Sequence, residues 1–254
     1  MRITEIDPIE QRKNHPAKIK LRGIIKHVYK QMGKAIFDYQ MLKAHDKVMV
    51  AVSGGKDSLS LLRLLLIRRA RIPIPFEIMA CFVDTSFIKI DREKMKEHFE
   101  SEGIPYEICR LDLDPQKEKV GCFWCSWNRR KLLFETAQKH GCNKIVMGHN
   151  LDDITETIMM NMVYYGEISA MNPYLDLFGG KLTMIRPLCY LEKKEIVRFF
   201  NQFDFPDLHY ECPIGDTSRR QAVRETIESL QERCPYVKKN IFKSLRKIKQ
   251  DYLL

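Results

Sequence analysis

Val48-Met49-Val50-Ala51-Val52-Ser53-Gly54-Gly55-Lys56-Asp57-Ser58 runs directly into Leu59-Ser60-Leu61-Leu62-Arg63-Leu64-Leu65. Val48 to Val52 is apolar at every position, as a strand covered on both faces requires. The second stretch is long and apolar enough to read as a helix. Two glycines join them, so the backbone can fold back tightly and aim successive N–H groups at one point, where the helix also presents its positive dipole end. That arrangement suits an anion, and Lys56 adds a mobile positive charge beside it. A Walker A loop needs four residues between its first glycine and Gly-Lys-Ser/Thr, a spacing absent here.

The pattern extends outward from this unit. Apolar runs predict strands near 47–52, 76–83, 105–109, 144–148 and 182–187, and helices near 58–70, 92–102, 126–140, 151–165 and 191–203. Such alternation predicts an α/β fold built on a doubly wound parallel sheet, with ligands at the carboxyl ends of the strands. Three stretches fall there: the loop at Ser53, the Val83-Asp84-Thr85 turn, and Gly148-His149-Asn150. Upstream, from about Asn14, Leu21, Ile25, Val28, Met32, Ile36, Tyr39 and Leu42 recur at helical spacing and predict one long amphipathic helix. The expected organisation is an N-terminal basic helical region at 1–46, an anion-binding α/β domain at 47–205, and a basic helical extension at 206–254.

The formal net charge of the 254-residue chain is +10. Its cations cluster at Arg12-Lys13, Lys18-Ile19-Lys20-Leu21-Arg22, Arg68-Arg69-Ala70-Arg71, Arg129-Arg130-Lys131, Arg219-Arg220 and Lys238-Lys239, with Lys243, Arg246, Lys247 and Lys249 in the tail. A polyanion such as RNA is the natural partner for that excess. No apolar run reaches membrane-spanning length, and Met-Arg-Ile-Thr-Glu-Ile-Asp lacks a signal-peptide core, so the expectation is a cytoplasmic chain with no membrane partner. Eight cysteines in a chain of this size fit a reducing compartment and leave metal or redox chemistry open.

Two further constellations carry chemistry. Gly148-His149-Asn150-Leu151-Asp152-Asp153 places two acids in the first turn of a helix that follows a strand. They suit helix capping, and equally suit magnesium beside a phosphate ligand, which takes one or two carboxylates and keeps its waters. Asp57, Asp152 and Asp153 are the magnesium candidates. The second constellation is Cys122-Phe123-Trp124-Cys125 with Cys212 far downstream. Zinc, a disulfide and a [4Fe-4S] cluster with one iron lacking a protein ligand all remain open on spacing alone. The remaining cysteines, Cys81 and Cys109 among them, read as small core residues.

The Ser-Gly-Gly-Lys-Asp-Ser loop resembles that of the PP-loop ATP pyrophosphatase superfamily. Taken in order, the loop, the C-x-x-C followed by Arg129-Arg130, the Gly-His-x-x-Asp-Asp-x-x-Glu-Thr helix start, Arg186-Pro187-Leu188 and the later single cysteine resemble the tRNA 2-thiocytidine synthetase (TtcA-type) family. The likeness covers the chain from its first helix to about Arg224. It implies the adenine nucleotide alpha hydrolase-like fold and an AMP-forming sulfurtransferase that converts cytidine 32 of the tRNA anticodon loop to 2-thiocytidine. It also implies a [4Fe-4S] cluster on Cys122, Cys125 and Cys212. An ATP site would be formed by Ser53, Gly54, Gly55, Lys56, Asp57 and Ser58 with Ala51, Val83, Gly148 and Asp153, and Arg129 would lie between cluster and nucleotide. Lys56, Arg129 and Asp153 are the catalytic candidates. A cysteine desulfurase or other sulfide donor, and a homodimer, are implied as partners. Familiar members carry Pro-Cys-x-x-Cys where this chain has Glu211-Cys212-Pro213-Ile214-Gly215, which keeps 2-thiouridine synthesis as an alternative. A redox-sensing RNA-binding protein without catalysis is the reading from a different class.

Overall fold

A computed structural model describes residues 15–85, 90–111, 122–208 and 218–252. In chain order the elements are α1 (Gly23–Asp38), β1 (Asp46–Val52), α2 (Lys56–Arg69), β2 (Phe76–Thr85), α3 (Arg92–Glu102), β3 (Tyr106–Leu111) and α4 (Cys122–Lys139). They continue with β4 (Lys144–Val146), α5 (Leu151–Met160), β5 (Tyr174–Leu177), β6 (Leu182–Ile185), α6 (Lys193–Phe200), α7 (Ser218–Arg233) and α8 (Val237–Ser244). The sheet order is β3-β2-β1-β4-β6-β5; β5 alone runs antiparallel, paired with β6. Because the chain moves outward from β1 through β2 to β3 and then returns to place β4 on the other side of β1, the order reverses between β1 and β4. A crevice opens at their carboxyl ends.

Strand alternation divides the core. Val48, Val50 and Val52 of β1 and Ile78, Ala80 and Phe82 of β2 face the larger apolar cluster, which includes α1, α2 and α6. Met49, Met79, Cys81 and Val83 face the opposite cluster, under Leu133 and Ala137 of α4. Both sheet faces are therefore covered, which is why these strands read as continuous apolar runs. α2 is the central helix: every residue from Ser58 to Ile67 is buried.

Several boundaries differ from the sequence reading. The N-terminal helix starts at Gly23, after a short turn at Pro16–Lys18, and its apolar stripe Val28, Met32, Ala35 and Ile36 is buried in the chain's own core. That stripe gives no argument for a dimer, since it already has its partner. The helix expected from 126 begins at Cys122, so the C-x-x-C occupies its first turn. Strand β5 was not expected: it is four residues long, follows Pro173 and is only partly covered, so its apolar signal is weak. Among the described residues no helix is long and apolar enough to cross a membrane.

Candidate active site

The strand-to-helix loop is knitted together by Ser58. Its Oγ donates to Gly55 O at 2.9 Å and accepts from Ser53 N at 3.1 Å, while Ser53 Oγ lies 3.2 Å away. Gly54 has φ +88°, the left-handed region in which a side chain is strained. Gly55 caps α2 without a side-chain hydrogen bond, which leaves first-turn N–H groups of α2 open to an external acceptor. Gly148 allows the end of β4 to press against this turn: a Cβ there would stand 3.3 Å from Ser58 Cα and N.

A cavity of ≈290 Å³ lies at the switch point, lined by Ala51, Ser53, Asp57, Ser58, Val83, Arg129, Gly148 and Asp153 among the expected residues. The wall opposite the loop is the α4 face that carries Ser126, Arg129 and Arg130, immediately after Cys125. Cys125 is buried. The side chain of Cys122 and all of Cys212 lie outside the described residues.

Two carboxylates meet across the cavity. Asp153 Oδ2 accepts from Asn150 N at 3.0 Å while Asn150 Oδ1 accepts from Asp153 N at 3.1 Å, a reciprocal cap that fixes the start of α5. Burial pushes the Asp153 carboxyl upward. Asp57 Oδ1 is buried without a hydrogen-bond partner among the described residues. Burial first, and the Asp153 charge second, push the Asp57 carboxyl from 3.8 up to about 6. A buried acid oxygen with nothing to bind, beside a second acid, fits a hard cation such as magnesium.

The adjacent acid has another task. Asp152 accepts from Lys193 N at 2.8 Å and pairs with Lys238 at 2.7 Å, so it docks α8 and the start of α6 against α5 and lies outside the cavity lining. Lys56 is also outside the lining; its Nζ sits 5.6 Å from the centroid of the Phe200 ring.

Positive charge at the cavity comes instead from Arg129 and Arg130, with Arg186 behind them. Arg186 is buried. Its Nε donates to His149 Nδ1 at 3.1 Å and another nitrogen donates to Asn172 O. Burial, then Arg130, lower the Arg186 guanidinium to about 10. His149 lines the cavity, and burial followed by the charges of Arg186, Arg220 and Arg130 drives its imidazole down to about 3. It is therefore neutral, and the bond from Arg186 to Nδ1 leaves the proton on Nε2. The sequence drew attention to His149 and Arg186 through their motifs but assigned neither a role, because their pairing spans 37 residues and depends on the β4–β6 register. Cys81, read as a core residue, lies in the core and also lines the cavity, 3.9 Å from the Cys109 sulfur.

Residues 24–229 match the PP-loop domain family. The tRNA-cytidine(32) 2-sulfurtransferase of Geobacter metallireducens is 32% identical, over 88% of this chain and 90% of the relative. The protein of the same name from Verminephrobacter eiseniae is 36% identical, over 92% and 76% respectively. Among solved structures, the U34-tRNA thiolase NcsA from Methanococcus maripaludis with its [4Fe-4S] cluster superposes with a TM-score of 0.74 at 24% identity, covering 91% of this chain and 80% of that one. The fold is shared with that thiolase.

Proposed function

We propose, since this chain belongs to the PP-loop family and within it to the tRNA-cytidine(32) 2-sulfurtransferases, that it is the sulfurtransferase that converts cytidine 32 of a tRNA to 2-thiocytidine in the cytoplasm at the expense of ATP. One observation carries the reading: the helix that begins with the C-x-x-C forms a wall of the same cavity whose other walls are the phosphate-type loop and the Asp57–Asp153 pair. That shared wall supports nucleotide chemistry and sulfur chemistry at one place.

A pyrimidine 2-carbonyl oxygen is a poor leaving group. It attacks the α-phosphate of ATP, pyrophosphate leaves, and the oxygen becomes part of an adenylate ester. The loop amides and the N-terminus of α2 receive the departing pyrophosphate. Asp57 and Asp153 would hold magnesium, whose charge offsets that of the phosphates. Arg129 and Arg130 face the same space, and Lys56 adds its charge only by leaving Phe200. His149, neutral and fixed in one tautomer, offers Nε2–H as a donor that needs no counter-ion. Cys122, Cys125 and Cys212 would hold the [4Fe-4S] cluster, which when bound would supply an iron free of protein ligands to take sulfide from a sulfide donor. Sulfur then replaces the oxygen, and AMP leaves. Holding base, nucleotide and sulfur in one geometry supplies about 7 kcal/mol or more of the barrier reduction.

The test is nucleoside mass spectrometry of tRNA from a strain lacking the gene. Loss of 2-thiocytidine is expected. Loss of 2-thiouridine instead would overturn the choice of base, and an unchanged thionucleoside profile would overturn the reaction.

A further inference from the structure

The tail of the chain is basic, but its lysines are not equivalent. Lys238 on α8 is spent: its ammonium lies 2.7 Å from Asp152 and 3.8 Å from Glu192, with the side chain only 12% exposed. The stripe Lys239, Phe242, Lys243 and Arg246, spaced three and four residues apart, faces outward and lines a groove of ≈470 Å³. The other bank is α1, through Gln31, Lys34 and Asp38, and Tyr190 lies between the banks.

The groove's charge is one-sided. Four cations line it against one carboxylate, Asp38. That carboxylate is already neutralised: Lys34 lies 2.6 Å from Asp38 Oδ2, and the Tyr190 hydroxyl donates to the same oxygen at 2.9 Å. Lys239, Lys243 and Arg246 form no ion pair among the described residues; Arg246 rests on the Tyr39 ring at 4.6 Å and Lys239 near the Tyr236 ring at 6.0 Å. Tyr190 and Phe242 meet edge to face at 5.8 Å beneath them. Outward-facing cations on aromatic supports, in no ion pair among the described residues, match a polyanion.

Position links the groove to chemistry. Leu151, the first residue of α5, lines the groove, while Asp153, two residues on, lines the nucleotide cavity. The two sites are separated by about one helix diameter, ~10 Å. Lys238 and Asp152 clamp α8 to this same turn of α5, which fixes the distance between them.

We propose that the groove between α1 and α8 seats the sugar-phosphate backbone of the substrate tRNA, with Lys239, Lys243 and Arg246 as its phosphate contacts, while the target base enters the cavity on the other side of α5. This rests on the tRNA reading given above. The test compares wild-type protein, the triple variant Lys239→Gln/Lys243→Gln/Arg246→Gln, and a control that loses the same charge at exposed lysines elsewhere, Lys43→Gln/Lys96→Gln/Lys181→Gln. Unmodified tRNA transcript is the probe, with affinity measured across a salt series and ATP binding measured alongside to confirm an intact fold.

Each phosphate contact contributes about 0.7 to 0.9 to the slope of log affinity against log salt. The triple variant should therefore flatten the slope by about 2.1 to 2.7, so that wild type loses about 20- to 40-fold more affinity than the variant between about 50 and 200 mM salt. The control should retain the wild-type slope. A variant slope equal to wild type overturns the groove while leaving the reaction standing. A control that flattens equally shows a net-charge effect and also overturns it. If the triple variant keeps its tRNA affinity but loses self-association in sedimentation, the groove is an interface between two copies of this chain. If the wild type itself shows no salt-dependent tRNA binding, it is the tRNA reading that fails.

Discussion

Asp57→Asn should make the ligand-free protein more stable at neutral pH while disabling it. The carboxyl stands in the first turn of α2, largely buried, with Oδ1 unpartnered and Asp153 nearby. Lifting its pKa from 3.8 to about 6 corresponds to about 3 kcal/mol of destabilisation once the group is ionised in both states. The negative charge also gains up to about 1 kcal/mol from the N-terminus of α2, which the amide forfeits. The net gain for the variant is about 2 kcal/mol, or a Tm rise of about 4–8 °C in a chain of this size. The pH dependence has a definite sign. Well below 3.8 the carboxyl is protonated in folded and unfolded chains alike, and the penalty vanishes. Between about 4 and 6 the unfolded chain has released the proton while the folded chain retains it, so wild-type stability falls as pH rises through that window. The advantage of the variant should therefore grow from about pH 4 and be complete by about pH 7. Thermal unfolding of both proteins across that range measures it. Adding magnesium and ATP should raise the wild-type Tm and leave the variant unmoved, because the cation neutralises the strained acid. A variant gain that is the same at pH 4.5 and pH 7.5, or a loss at neutral pH, would refute the argument.

Gly148→Ala places a Cβ 3.3 Å from Ser58 backbone atoms, and Gly54→Ala strains a position at φ +88°; each should cost about 1–3 kcal/mol in chemical denaturation and weaken ATP binding in calorimetry. Because His149 is held near 3, ATP affinity should carry no His149-linked step between about pH 5 and 8 in the wild type. Arg186→Met removes the second largest cause of that depression, so the pKa should rise and a histidine-linked step should move toward the assay range, read by the pH dependence of the binding constant. Cys122→Ala, Cys125→Ala and Cys212→Ala should each abolish the broad visible absorption of anaerobically reconstituted protein, whereas Cys142→Ala should retain it. Stoichiometric zinc without iron after anaerobic handling would count against the cluster.

Local sequence determined what depends on local chemistry. The all-apolar strand Val48–Val52, the Gly54-Gly55 turn and the buried helix after it could be read directly, since covering both sheet faces leaves its mark on every residue of a central strand. The parallel, doubly wound order followed from the alternation, and with it the carboxyl-end location of the loop, Val83, Gly148 and Asp153. The short edge strand Tyr174–Leu177 left no such mark, because an edge takes its pairing from one neighbour and little burial from either face. Adjacent acids were harder still: Asp152 and Asp153 are indistinguishable in the chain, yet a 100° step around the helix axis sends one to Lys238 on α8 and the other into the cavity. The same holds for Lys238 and Lys239, one consumed by Asp152 and the other left facing solvent. The unpaired Asp57 oxygen, the Arg186–His149 bond and the basic groove all join residues distant in sequence. Their chemistry is set by desolvation and by partners that only the register of the sheet and the docking of α8 bring within reach.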